Sequence, residues 1–561
     1  MCGIAAVSLK ENCKEQVSRI LHRMNREQHF RGPDGQGIDV EGGSGVGMVR
    51  LRVRAEQDEP EPIRISHHHT AAYNGEIYWH KGAVPAGGAG EVTALMDVNR
   101  NELDGMYALA VLDRKERELM LSRDSIGIKP LWYRKFPNGL AAASHPGSLL
   151  SVAPTELNVE AIHQFLAFGH PLGNQGMIKG MKELKKGDLL TVKAGRVVSS
   201  FSSPALSPIN GSVTPERLKN AVREALSRTM VSDRPLGLAI SGGLDSTILA
   251  HEMAEMGVEN LNTVSVRIEG GEDGIQNLSQ LKIPNKVVTS WNHQCLTVTP
   301  EYFANGLVEA SRLLGVPTAM SSVPLYMGLA DLAKKQGIVA LILGEGADEL
   351  FLGYQSYQNI AFDTPDPLVS FMLSGEKQEY LKRLLGKHVV SRLTTQLQQS
   401  YPAQPGVSQW ERLRNSEMDL SLGPLLHRAD QILMSRSIEG RTPFLHGEVP
   451  RIAMSLSPEC NLSGFAGKEF LRRAYPELAK KSGPWQVKRP FRAPVSNWLC
   501  GELQKWATEV LMDHRTLFHS VGIQEDGIQH VCHGLQQGQA VAASIAVPLI
   551  TLAFWLDWSK R

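Results

Sequence analysis

The sequence predicts a two-domain protein, an α+β half followed by an α/β half. Three observations lead there. At 561 residues the chain exceeds what one hydrophobic core usually supports. Its first part alternates short apolar runs with Gly-rich turns, whereas its second part alternates short apolar strands with longer helical patterns. Between them, residues 199–215 read SSFSSPALSPINGSVTP, rich in Ser and Pro and without apolar periodicity, as a linker does. We therefore expect one domain over 1–200 and a second over 212–561.

In the first domain, MCGIAAVSL, GSGVGMVRLRV, TAAYNGEIYW, MYALAVLD, ELMLSRD and GLAAAS read as strands. Each approaches period two in β-branched, aromatic or small apolar residues and is broken by Gly, Asn or Asp. The second domain opens on TPERLKNAVREALSRTM, where Thr214 is placed to cap a helix and Pro215 suits its first position. Leu218, Val222, Ala225 and Leu226 then follow at helical spacing. Farther on, PLGLAI and IVALIL alternate with helical segments, which predicts a parallel sheet flanked by helices.

Bulk properties exclude several functions. Apolar residues at 42% and charged residues at 21% describe a globular chain, and a formal net charge of +1 gives no electrostatic reason for a nucleic-acid or acidic-membrane partner. A small substrate is expected. The six cysteines have no CxxC spacing, which argues against a zinc site or a disulfide framework. The start lacks the pattern of a signal peptide and no uninterrupted apolar run reaches about 18 residues, so we expect a cytoplasmic protein. His67, His68 and His69 would point to alternate sides of an extended segment, a solvated strand edge rather than a metal site. The closing AFWLDW should pack the last helix.

The strongest local signal is LAISGGLDSTILA, residues 238–250. An apolar strand runs through Ser241, Gly242, Gly243, Leu244, Asp245 and Ser246 into a helix, whose first amides are suited to a phosphate. No lysine follows as a Walker loop requires. Asp245 beside a phosphate cradle implies a divalent cation between the two charges. GEGADELFLGY, residues 344–354, follows the strand IVALIL and places Gly344, Glu345, Asp348 and Glu349 where a site could hold Mg²⁺ and accept a proton. Lys468, ahead of an apolar helix, could offset charge on departing phosphates.

SGGLDS is similar to the pyrophosphate loop of the N-type ATP pyrophosphatases. With MCGIA, RGPDG (31–35), YNGEIY (73–78), SRDSIGIKPLWY (122–133), EGRTPFL (439–445) and GKEFLRR (467–473), the whole chain resembles the glutamine-hydrolysing asparagine synthetase family. That resemblance implies an N-terminal Ntn-hydrolase αββα sandwich, a class II glutamine amidotransferase, followed by a parallel-sheet, adenine-nucleotide α-hydrolase-like (PP-loop) domain. It also answers why a cysteine should follow Met1. Exposed by removal of Met1, Cys2 would attack the glutamine side-chain amide, with its own α-amine, titrating near about 7.7 to 8.0, moving the proton.

By the same resemblance, Asn74 and the Gly75 amide form the oxyanion hole, and Arg50, Asn74 and Glu76 bind glutamine. Ser241, Gly242, Gly243, Leu244, Asp245, Ser246, Gly344 and Glu345 bind ATP, and Asp245 and Asp348 ligate Mg²⁺. Glu345 takes a proton from the attacking amine and Lys468 steadies developing charge. Ammonia would pass through an internal tunnel to an acyl-adenylate of a small carboxylic acid, giving an amide, AMP and pyrophosphate; a homodimeric assembly is left open.

The chain departs from the family pattern at several positions. Met48-Val49-Arg50-Leu51 stands for His-x-Arg-Leu, and Ala89-Gly90-Glu91 for Asp-x-Glu. The missing Asp removes a charged hydrogen bond to glutamine, worth about 1.5 to 3 kcal/mol, unless a nearby acid substitutes. Leu343, Leu352 and His446 replace Ser, Gly and Asp, changes expected near the nucleotide and acceptor sites, and the segment after RIEGG lacks the usual Asp-Glu. The acid is therefore left as aspartate or a related, specialised carboxylic acid. Two alternatives remain, a β-lactam-synthetase-like intramolecular cyclase and a non-catalytic binding relative.

Overall fold

The computed structural model describes residues 2–560 apart from 55–59, 86, 98–102, 203–205, 207, 210, 271–274, 282, 284–285, 355, 358–359, 361–364, 374, 463–466 and 480–492. The front half is built from β1 (Cys2–Leu9), β2 (Gly35–Glu41), β3 (Ser44–Arg50), β4 (Ile63–Arg64), β5 (His69–His80), β6 (Leu103–Asp113), β7 (Glu118–Arg123), β8 (Trp132–Phe136), β9 (Gly139–Ala143), β10 (Met181–Glu183), β11 (Asp188–Lys193) and β12 (Arg196–Ser202). They form two six-stranded sheets, ordered β10-β8-β9-β1-β3-β2 and β12-β11-β7-β6-β5-β4.

Strand β1 shows how the layers arise. Cys2, Ile4 and Ala6 pack into the core between the sheets with Ala72, Ala108 and Ala110. Ala5, Val7 and Leu9 point the other way, into a core with Val17, Leu21 and Met24 of the helix Lys14–Glu27. Both faces of the strand are buried, which is why MCGIAAVSL is apolar throughout rather than alternating. The helix Gly87–Met96 packs on β5. The result is the αββα sandwich that the resemblance implies.

The back half carries β13 (Leu236–Ala239), β14 (Asn262–Ile268), β15 (Asn292–Val298), β16 (Ala340–Ile342) and β17 (Glu439–Arg441), all parallel, in the order β15-β14-β13-β16-β17. Strand order reverses beside β13, so the crevice between the carboxyl ends of β13 and β16 is the place where such sheets bind ligands. Both chemical loops leave from there. The preceding helix, Pro215–Thr229, starts as its sequence predicts, with Thr214 Oγ1 accepting from the Arg217 amide at 3.2 Å.

Two expectations need correction. His67 and His68 lie in the bend between β4 and β5, exposed, and only His69 enters a strand. The helix Ala540–Ser559 contains a 19-residue stretch, Ala540–Trp558, long and apolar enough to cross a membrane, although Pro548, Ser544 and Thr551 interrupt the run in sequence. Its most apolar window is 72% buried inside the protein, as in a core helix. Ser311 Oγ donates to the Thr551 carbonyl at 2.7 Å, and Trp555 Nε1 donates to the Gly315 carbonyl at 3.1 Å. The AFWLDW aromatics pack this helix, with Trp555 in the same core as Phe165 and Leu313, so one apolar cluster joins front and back halves.

Candidate functional site

Strand pairing sets the first site. Cys2 on β1 lies directly opposite Arg50 on β3, and its backbone nitrogen donates to Asn74 Oδ1 on β5 at 3.0 Å. Asn74 is fully buried, and its Nδ2 has no hydrogen-bond partner among the described residues. A buried amide donor left this way suits an oxygen that gains negative charge. Gly75 follows because a Cβ there would lie 2.1 Å from the Met106 carbonyl oxygen. Burial pushes the Cys2 thiol up, opposed by the Arg50 guanidinium.

Around this pair the charges are nearly all buried. Arg50 Nη1 is 3.6 Å from Glu61. Glu76 pairs with Arg54 at 3.2 Å and lies 3.8 Å from Arg441 of the back half. Glu91, third residue of Ala89-Gly90-Glu91, accepts from Arg54 at 3.0 Å and from the Ile77 amide at 2.9 Å. Desolvation and the facing Glu76 raise the Glu91 carboxyl well above the usual range.

The second site lies at the carboxyl ends of β13 and β16. Asp245 sits in the first turn of the helix Leu244–Glu255, Asp348 in the short helix Ala347–Phe351. Lys468 Nζ joins them, 2.5 and 2.7 Å from the two Asp245 oxygens and 2.7 Å from Asp348 Oδ1. Lys468 is 2% exposed and desolvation lowers its pKa. Gly353 permits the approach, since a Cβ there would lie 2.0 Å from both Asp348 Oδ1 and Lys468 Cε. Ser246 Oγ ties the loop back to the Ser241 amide at 3.2 Å, while the Leu244 side chain is buried in the core and can offer a ligand only its backbone.

Asp245 and Asp348 are oxygen donors of the kind Mg²⁺ takes alongside phosphate and water, and they would hold that ion on oxygens that Lys468 Nζ, which bridges them here, leaves or yields. Among the described residues no group of three or more His, Cys, Asp or Glu gathers to form an all-protein metal cage.

Glu345 is held by residues that no motif announced. Arg428 Nη2 donates to Glu345 Oε1 at 2.7 Å, the Tyr326 hydroxyl donates to the same oxygen, and the Arg428 guanidinium lies over the Tyr326 ring at 3.9 Å. Desolvation raises its neighbour Glu349 to about 7, a shift the Tyr354 hydrogen bond opposes. A cavity of about 750 Å³ connects these groups, with Ser241, Asp245, Ser246, Gly344, Glu345, Asp348 and Glu349 in its wall. Gly242, Gly243 and Leu244, between Ser241 and Asp245 in the same loop, are not part of that wall.

The halves meet through buried charges. Arg31 Nη2 donates to Asp430 at 2.7 Å, Arg31 Nη1 to Gln431 at 2.8 Å, and Arg31 Nε to the Cys2 carbonyl at 3.3 Å. Asp430 and Gln431 share the helix Leu422–Met434 with Arg428. One helix therefore touches both sites.

Comparison with known proteins agrees with both halves. The asparagine synthase family model matches residues 217–557. The chain belongs to the asparagine synthase family. A glutamine amidotransferase domain model matches residues 1–83 and 97–201 of the same chain. This asparagine synthase family member is 27% identical over 460 residues to a putative asparagine synthetase (glutamine-hydrolyzing) of Mycobacterium bovis, covering 72% of this chain and 69% of that protein. It is 24% identical over 466 residues to asparagine synthetase (glutamine-hydrolyzing) 1 of Bacillus subtilis, covering 74% and 72%. It is 22% identical over 551 residues to asparagine synthetase B (glutamine-hydrolyzing) of Escherichia coli, covering 92% and 86%. The combination of domains makes it a glutamine-dependent carbon–nitrogen ligase, of a family that uses ATP.

Within this family member the three back-half departures have different surroundings. Leu343 lines the cavity. Leu352 is buried in the core, with φ +52 at the end of the helix Ala347–Phe351. His446 faces the front half: its Nδ1 meets Asp104 at 3.1 Å and its ring packs edge-on to Tyr78. The chain turns after β17 and carries His446 under the glutaminase half, where an Asp would face Asp104. The segment after RIEGG falls mainly on 271–274, outside the described residues.

Proposed function

We propose that the protein is an ATP-dependent, glutamine-hydrolysing amide synthetase for a small carboxylic acid. Removal of Met1 turns the Cys2 nitrogen, already on Asn74 Oδ1, into the α-amine base. The thiol adds to the glutamine amide carbon, Asn74 Nδ2 and the Gly75 amide hold the oxyanion, and Arg50 holds the glutamine carboxylate with acids such as Glu76 and Glu91 nearby. Ammonia leaves, and water releases glutamate from the thioester.

At the second site the SGGLDS amides and Ser246 hold ATP phosphates. Mg²⁺ held by Asp245 and Asp348 would supply neutralising charge to the pyrophosphate. The acid's carboxylate oxygen bonds to the α-phosphorus as pyrophosphate leaves, and Lys468 balances the charge that develops. Ammonia then attacks the acyl carbon, AMP leaves with the bonding electron pair, and the amine's proton passes to Glu345.

The single observation that supports coupling of the two reactions is the helix Leu422–Met434, which gives Arg428 to Glu345 and Asp430 and Gln431 to Arg31 beside Cys2. The intact Cys2–Asn74 pair disfavours a cyclase, which needs no nitrogen donor. The test is to incubate the protein with ATP, Mg²⁺ and a panel of acids, supplying glutamine or ammonium separately, and to follow AMP and new amides. Amide from both nitrogen sources is expected. Absence of AMP under every condition would overturn the reading, and AMP formed only with amine-bearing acids and no nitrogen donor would favour the cyclase.

A further inference from the structure

Strand register sets a cation and an anion beside the thiol. Arg50 on β3 pairs with Cys2 on β1 and, on its other side, with Gly35 on β2. Directly opposed residues of an antiparallel sheet share a face, so Cys2, Arg50 and Gly35 form one row across three strands, with about 4.8 Å between neighbours. At the far end of that row stands a carboxylate that belongs to no motif. Glu61 reaches in from the segment just before β4. Two glycines make room for it: a Cβ on Gly35 would lie 2.8 Å from Glu61 Oε1, and a Cβ on Gly37 would lie 1.9 Å from the Glu61 carbonyl oxygen.

Glu61 Oε1 is 3.6 Å from Arg50 Nη1, an ion pair too long for a hydrogen bond, and accepts from Arg52 Nη2 at 3.1 Å. Both contacts fall on the same carboxylate oxygen. Free glutamine carries opposite charges, an α-carboxylate and an α-ammonium, on one carbon that lies three bonds from its amide carbon. A guanidinium and a carboxylate side by side are the complement of that head group. With the amide carbon at Cys2 Sγ, the α-carboxylate meets Arg50 and the α-ammonium meets Glu61. Charge-assisted hydrogen bonds of this kind are about twice as strong as neutral ones.

Glu76 and Glu91 suit the task less. Both bind Arg54 Nη1, at 3.2 and 3.0 Å, and burial raises both carboxyls toward the neutral form, which draws an ammonium weakly. Ala89, where the family pattern has Asp, has no charge to offer.

We propose that Glu61 binds the α-ammonium of the nitrogen donor, so that the front site selects free α-amino-acid amides over amides that lack that group. This rests on the glutaminase chemistry proposed above, in which Arg50 holds the α-carboxylate.

The test compares two donors, glutamine and 4-carbamoylbutanoate, which has hydrogen in place of the α-ammonium, by the ammonia each releases with the full chain. The unsubstituted protein is expected to favour glutamine in kcat/KM by about 10-fold or more. In Glu61→Gln that ratio is expected to fall toward one, through a higher KM for glutamine at a kcat within a few fold. Gly35→Ala, whose methyl must push the Glu61 carboxylate aside, is expected to lower the ratio in the same direction. A ratio near one in the unsubstituted protein, or one that neither substitution changes, overturns the assignment. Equal loss of both donors overturns it too, because Glu61 would then only prop Arg50. The acids Glu56, Asp58 and Glu59, outside the described residues, serve as controls. Collapse of the ratio in Glu56→Gln, Asp58→Asn or Glu59→Gln, with Glu61→Gln unaffected, also overturns it. No ammonia from either donor in the unsubstituted protein overturns the glutaminase reading itself.

Discussion

Arg31 and Asp430 form an ion pair at 2.7 Å with side chains 0% and 3% exposed, and they belong to opposite halves of the chain. Lys129 adds a second cation 3.5 Å from the same carboxylate. Removing one member of such a pair strands buried charge, at about 3 to 5 kcal/mol. We expect Asp430→Ala to lower the melting temperature by several degrees. Because Arg31 Nε also supports the Cys2 carbonyl, glutamine-driven synthesis should fall further than ammonium-driven synthesis. Equal losses in the two rates would show that Arg31 carries no effect to Cys2.

Lys468 holds Asp245 and Asp348 together. In Lys468→Met the two carboxylates lose their common counter-charge and the departing pyrophosphate loses a cation, so acid-dependent pyrophosphate release should fall about 10²- to 10³-fold. Glutamine hydrolysis, assayed as glutamate formed, should remain within a few fold.

The oxyanion role proposed for Asn74 predicts a separable phenotype. Asn74→Ala removes the buried Nδ2 donor and is expected to reduce glutaminase turnover about 10²- to 10³-fold. Steady-state assays with ammonium chloride in place of glutamine should show near-normal amide synthesis.

Glu349 gives stability a pH dependence of known sign. Its folded pKa of about 7 exceeds the ordinary 4.5, because burial favours the neutral acid. The fold therefore holds a proton that the unfolded chain releases between those values. This contribution, of order 3 kcal/mol, is complete below about pH 4.5 and is lost as pH rises through 7. Thermal melts from pH 5 to 7.5 should show a downward slope that is shallower in Glu349→Gln.

Leu352 sets two effects against each other. Its φ of +52 strains a non-glycine residue by about 1 to 3 kcal/mol, yet its side chain is fully buried. Removing a buried Leu costs about 2 to 5 kcal/mol, so Leu352→Gly should lower the melting temperature despite relieving the backbone.

What the sequence made legible was chemistry confined to one loop. SGGLDS and GEGADEL stood out because a strand, a glycine turn and an acid in one short segment suggest a phosphate and cation site, and both loops contribute to the cavity wall. The Thr214 cap was readable for the same reason, its partner being three residues away. Arg428 and Tyr326 were not readable, because they reach Glu345 from 83 and 19 residues away and carry no motif of their own. The Arg31–Asp430 pair, 399 residues apart, exists only once the halves dock. The partner of His446 was not readable, because Asp104 lies 342 residues away in the other half.

The most direct test is Cys2→Ala, assayed for amide formation with saturating ATP, Mg²⁺ and the preferred acid. The account predicts that glutamine no longer supports synthesis while ammonium supports it at nearly the original rate. Undiminished synthesis from glutamine in that variant would contradict it.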